Sequence, residues 1–158
     1  MKFKTPLLLA AMAATAGLSM VATATETAAS SQVQRGRYLV RVTGCNDCHT
    51  PGYAQSGGQT DEKLWLTGDA LGWKGPWGTT YATNLRLFLD KLSEPQWLAH
   101  ARTMQPRQPM PWYSMRAMSD EDLRAIYAFV KTLGPAGVAA PAYVPPSKPV
   151  QGPVVQFP

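Results

Sequence analysis

Cys45-Asn46-Asp47-Cys48-His49 is the stretch from which the rest of this chain can be read. It is a C-x-x-C-H pentapeptide: two thiols three positions apart, with an imidazole directly after the second. Each thiol can add to one vinyl group of a haem, giving two thioether bonds along one edge of the porphyrin. The next residue is then carried under the ring with its imidazole facing the iron. Covalent attachment also retains the group in an exported protein. The chain of 158 residues holds two cysteines and two histidines. That count excludes a Cys₄ zinc or iron–sulfur site and a disulfide-dense scaffold. Zinc would need four ligands, and only His100 remains as a nitrogen donor outside the motif. A thioredoxin-like pair would need a βαβ setting that the flanks lack, and a structural disulfide needs no adjacent histidine. The motif therefore predicts one haem c, bound through Cys45 and Cys48, with His49 on the iron.

Upstream, Gly36, Leu39, Val40 and Thr43 recur at helical spacing, which predicts a first helix over 32–44. Further back, Lys2 and Lys4 precede a run of apolar and small residues from Pro6 to Val21, and Ala22-Thr23-Ala24 follows as an A-x-A cleavage pattern. Residues 1–24 thus read as a cleaved export signal and 25–31 as a flexible leader. The apolar run is shorter than the ~20 residues a spanning helix needs, and Gly17 and Ser19 interrupt it. No cysteine near the cut suits a lipid anchor. The expected location is the periplasm, with no membrane span after cleavage. Removing 1–24 lowers the formal charge from +5 to +3, and two ionised haem propionates would take it to about +1. The remaining basic residues form no run and no stacking platform, so nucleic acid is not an expected partner.

Downstream, residues 32–133 carry the strong patterns and read as one domain. The stretch 51–81 is Gly- and Trp-rich without periodicity and is expected to be an irregular loop. Ser93 can cap a helix in which Glu94 and Pro95 occupy the first turn and Trp97, Leu98 and Ala101 face inward. Ser119 with Asp120, Glu121 and Asp122 marks another N-terminus. Behind it Leu123, Ile126, Tyr127 and Val130 form one stripe, and Gly134-Pro135 stops the helix. Residues 134–158 hold seven of the fourteen prolines and are expected to form an extended tail, lying on the domain surface or reaching a partner. So few short helices would enclose a thin core, and a large apolar cofactor would fill it.

With these residues in place, the chain resembles the class I c-type cytochromes over roughly Arg35 to Leu133. Gly36-Arg37-Tyr38-Leu39 before the motif and Asp122-Leu123-x-x-Ile126-Tyr127-x-Phe129-Val130 at the end match that family's pattern. The resemblance implies an all-α cytochrome c fold, in which N- and C-terminal helices cross at a small-residue contact. A third helix and long irregular loops complete the surround of one haem. More narrowly, Tyr81-Ala82-Thr83-Asn84-Leu85, the segment from Ser93 to Thr103, and Met110-Pro111-Trp112 look like the cytochrome domains that accompany periplasmic dehydrogenases.

Four methionines follow the signal: Met104, Met110, Met115 and Met118. A thioether opposite His49 would raise the reduction potential relative to bis-histidine ligation. Met110 is preferred, because Pro109 and Pro111 stiffen its loop and the resemblance points to the same Met-Pro; Met115 lies close by and competes. Met118 suits a hydrophobic staple, Met104 suits core packing, and His100 reads as an ordinary packing histidine. The tryptophans are expected to cover the porphyrin faces, or one or two to form a docking surface, with Trp112 shielding the iron on the methionine side. Thr79, Thr80, Tyr81 and Asn84 are candidate propionate partners, and the resemblance favours Tyr81 and Asn84. Arg86 and Lys74 are read as solvated. A six-coordinate haem favours outer-sphere electron transfer over independent catalysis. The expected function is a periplasmic carrier between a dehydrogenase and a cytochrome or oxidase. The alternatives are a haem enzyme or gas sensor with an open sixth position, and a small subunit anchored in a dehydrogenase complex by its tail.

Overall fold

The computed structural model describes residues 28–158; the expected signal over 1–24, and 25–27 of the leader, lie outside the described residues. Residues 28–42 are helical (α1). The leader expected over 25–31 is thus corrected at its end, where 28–31 belong to α1. Ala28 and Ala29 carry high helix propensity, and Ser31 Oγ donates to Ala28 O at 2.8 Å. The chain continues through α2 (Cys45–His49), a 3₁₀ turn (Glu62–Leu64), β1 (Gly72–Gly75), β2 (Gly78–Tyr81), α3 (Leu85–Asp90), α4 (Glu94–Thr103), α5 (Trp112–Ala117), α6 (Asp120–Leu133) and β3 (Val154–Gln156).

The frame is the crossing of α1 with α6. Gly36 is the contact point: a Cβ there would lie 1.9 Å from the Ala125 carbonyl oxygen and 2.8 Å from Phe129 Cβ. Around it Leu39 and Val40 pack with Leu123, Ala125, Ile126, Phe129 and Val130 in one core. Arg35 bridges to Asp122 at 3.0 Å on the outer side of the same pair. Helix α6 begins as expected, with Ser119 Oγ accepting from Asp122 N at 3.0 Å, and ends at Gly134. Helix α4 begins at a capping box, in which Ser93 N donates to Gln96 Oε1 at 2.8 Å. It is tied to α6 by Trp97 Nε1 donating to Leu123 O at 2.8 Å. Helices α3 and α5, six residues each, were not expected. Less than two turns gives no periodicity to detect.

The fold is mostly helical, but 51–81 is not wholly irregular. Strands β1 and β2 pair as an antiparallel hairpin, and β3 from the tail adds in parallel on the far side of β1. Four-residue strands with glycine at Gly72, Gly75 and Gly78 carry no alternation in sequence, and the third strand arrives from beyond α6. The tail is extended, as its prolines require. It takes an edge position where Pro153 precedes the strand and no ladder N–H is lost.

Candidate functional site

Gly44 adopts a left-handed φ of 75° between α1 and α2, so the chain breaks and restarts its helix at Cys45. The i, i+3 spacing then places both cysteines on the same side of α2, with His49 at its last position. Two contacts hold this helix against the core. Thr50 Oγ1 donates to Asn46 Oδ1 at 2.7 Å and accepts from Leu66 N at 2.8 Å. The His49 ring is buried, and its Nδ1 lies 2.7 Å from the Thr83 carbonyl oxygen. A carbonyl only accepts, so Nδ1 carries the proton and Nε2 keeps its lone pair. Burial pushes the imidazole pKa down, against the smaller opposing effect of the Thr83 contact. A neutral ring with a free Nε2 is the form that binds a metal.

No disulfide joins Cys45 to Cys48. Burial, the larger cause, and nearby Asp47 push their pKa values up. That direction is opposite to the shift toward thiolate that a redox-active C-x-x-C needs.

Cys45, Cys48 and His49 open into a cleft of about 540 Å³ whose walls are mainly apolar. That size falls within the range of cofactor and ligand pockets. All four methionines expected after the signal reach it: Met104, Met110, Met115 and Met118. Met110 is half-buried on the loop before α5, whereas Met115 on α5 is packed into the core at 7% exposure. Tyr81 and Thr80 line the cleft, as does His100, whose ring packs against Phe88 and Trp97 at 5.0 and 6.5 Å.

Several expected site residues work elsewhere. Asn84 is not a cleft residue. Its Oδ1 caps α3 by accepting from Leu87 N at 3.0 Å, and its Nδ2 donates to Ala136 O and Val138 O at 2.8 and 3.1 Å. The amide is fully engaged and has no donor left for a propionate. Trp112 does not line the cleft either; its ring stacks under the Arg116 guanidinium at 4.4 Å and meets Tyr113 edge-on. Arg86, read as solvated, is buried. It donates to Gly134 O, Lys63 O and Leu133 O, closing the C-terminus of α6. Thr79 is buried in the pairing of β2, and Lys74 lies on β1 outside the cleft. Of the tryptophans, only Trp73 and Trp97 line the cleft. Trp65 is a core residue, donating to Thr60 O and packed edge-on against Tyr53 and Phe129.

The structure also brings in residues without a sequence signal. Thr83 acts through its carbonyl, which no side-chain pattern reports. Arg107 and Tyr143 come from a loop and the tail. Trp73 Nε1 is buried without an acceptor and belongs to a ring that lines the cleft. An apolar cleft with two thiols, a neutral imidazole, thioethers and an unpaired N–H fits a flat, mostly apolar group that carries a metal and polar ends, which is the chemistry of haem c. The family model described as Cytochrome c matches residues 33–134. No curated protein and no solved structure matches the chain.

Proposed function

This chain belongs to the cytochrome c family, and from that premise we propose that it is a periplasmic electron carrier, His/Met ligated through His49 and Met110. One haem c is attached covalently through Cys45 and Cys48. When bound, haem supplies a one-electron ferric/ferrous couple. The chain's own residues supply the rest. Thr83 O orients His49 and fixes its tautomer, and the apolar lining excludes water. Pro109 and Pro111 restrict the backbone on either side of Met110. Two protein ligands would leave no iron position for substrate, so outer-sphere transfer is the reaction this site supports. We assign the donor to a dehydrogenase and the acceptor to another cytochrome or an oxidase.

The observation that carries this reading is the neutral His49, locked on Thr83, in the same cleft as both thiols and Met110. The test is the ferric absorption spectrum. A long-wavelength methionine–iron charge-transfer band in the native protein, lost in Met110→Ala, is expected. Ready binding of carbon monoxide by the reduced native protein at neutral pH would establish an open site instead.

A further inference from the structure

The tail beyond Gly134 is built into the domain next to the cleft. Asn84 holds Ala136 and Val138, Thr79 and Val144 exchange backbone hydrogen bonds of 2.8 and 3.0 Å, and β3 pairs with β1. Between these anchors Tyr143 reaches the cleft lining. Its hydroxyl donates to Trp77 O at 2.9 Å, which fixes the ring. The Arg107 guanidinium lies over that ring, 3.9 Å from its centroid. Arg107 also lines the cleft, and among the described residues no carboxylate pairs with it. Its loop is pinned from the other side by Thr80 Oγ1, which donates to Gln108 O at 2.8 Å.

An arginine free in solvent samples many rotamers and places no fixed charge. Stacked on a ring that is itself anchored, it does. We propose that Tyr143 is a positioning residue, through which the C-terminal tail holds the Arg107 charge at the edge of the haem cleft and raises the reduction potential. The proposal rests on the covalent, six-coordinate reading of that cleft. Reduction adds one electron to the iron and moves no proton, so the site loses one unit of positive charge. A cation held nearby therefore disfavours the ferric state more than the ferrous state.

The test is spectroelectrochemical titration of the full-length holoprotein, with Arg107→Gln, Tyr143→Ala, Tyr143→Phe and the Arg107→Gln/Tyr143→Ala pair. Each protein is first checked for its covalent-haem spectrum and its methionine–iron band. At low ionic strength Arg107→Gln is expected to lower the ferrous-to-ferric ratio at a fixed poise roughly fivefold, and the difference should shrink as salt is added. Tyr143→Ala should reproduce most of that fall, Tyr143→Phe, which keeps the ring but loses its anchor on Trp77 O, should fall by less, and the double variant should match Arg107→Gln. A native protein without covalent haem or the methionine band overturns the coordination reading together with this proposal. With both signatures intact, an unchanged potential in Arg107→Gln overturns the proposal alone. So does a Tyr143→Ala shift that persists on the Arg107→Gln background, because the tail would then act by excluding water. A Tyr143→Ala variant that keeps the native potential also overturns it, because the ring would then not be what holds the Arg107 charge.

Discussion

Two polar side chains show how one residue's environment divides structural from cofactor work. His49 directs one nitrogen to Thr83 O and leaves the other unengaged by that contact, whereas Asn84 commits its entire amide to a helix cap and the tail. Asn84→Ala should therefore lower stability by ~2 kcal/mol, about 1 for the cap and the remainder for the tail bonds. Denaturant unfolding would measure that loss, and the ferric absorption spectrum should be unchanged. An altered spectrum would return Asn84 to the cofactor. Arg86→Gln should cost about 2–3 kcal/mol by leaving carbonyls at the end of α6 without their charged donor, again with the spectrum preserved. Neither role was readable beforehand. Asn and Arg are plausible carboxylate partners wherever they occur, and only neighbouring backbone atoms decide which partner they take.

At the scale of elements, the α1–α6 crossing depends on one missing methyl group. Gly36→Ala brings a Cβ against the Ala125 carbonyl, a rigid backbone atom. The helices must separate, at a cost of about 3 kcal/mol or more, visible as a lower thermal midpoint and as weakened packing around the haem. The start of α6 adds a pH dependence. The Arg102 guanidinium bonded to Asp120 holds that carboxyl below the usual carboxylate range. Its folded pKa lies below its unfolded value, so its contribution is complete above about pH 4 and is lost as pH falls through the folded value. Asp120→Asn should flatten the stability profile in that acid window and leave the neutral region's slope unchanged. Helices α1, α4 and α6 were legible because caps and 3.6-residue stripes persist over several turns. Helices α3 and α5 and the β1–β2 hairpin were not, because four to six residues give too few repeats and their partners lie far along the chain.

The whole molecule is organised around a space that its own side chains do not fill. Replacing Cys45 and Cys48 by alanine prevents attachment and leaves the apolar cleft of about 540 Å³ without its covalent occupant. The expected outcome is retained far-UV helicity, a diminished near-UV signal and binding of a hydrophobic dye, as in a loosened core. A cooperative, native-like near-UV spectrum in that variant would show that the helices pack without the haem. The tail belongs to this scale as well. Its prolines announce an extended path but not a route, and the route runs along β1 and past the cleft. The sequence alone determined the haem attachment and the two long helices that frame it, and it singled out His49 beside the second cysteine. Each of these rests on residues within a few positions of one another, where spacing is geometry. Tertiary structure alone decided which polar groups face the cleft, which are engaged as caps, and that Tyr143 of the tail meets Arg107. Those outcomes depend on contacts across tens of residues, and such contacts form only when the whole core closes.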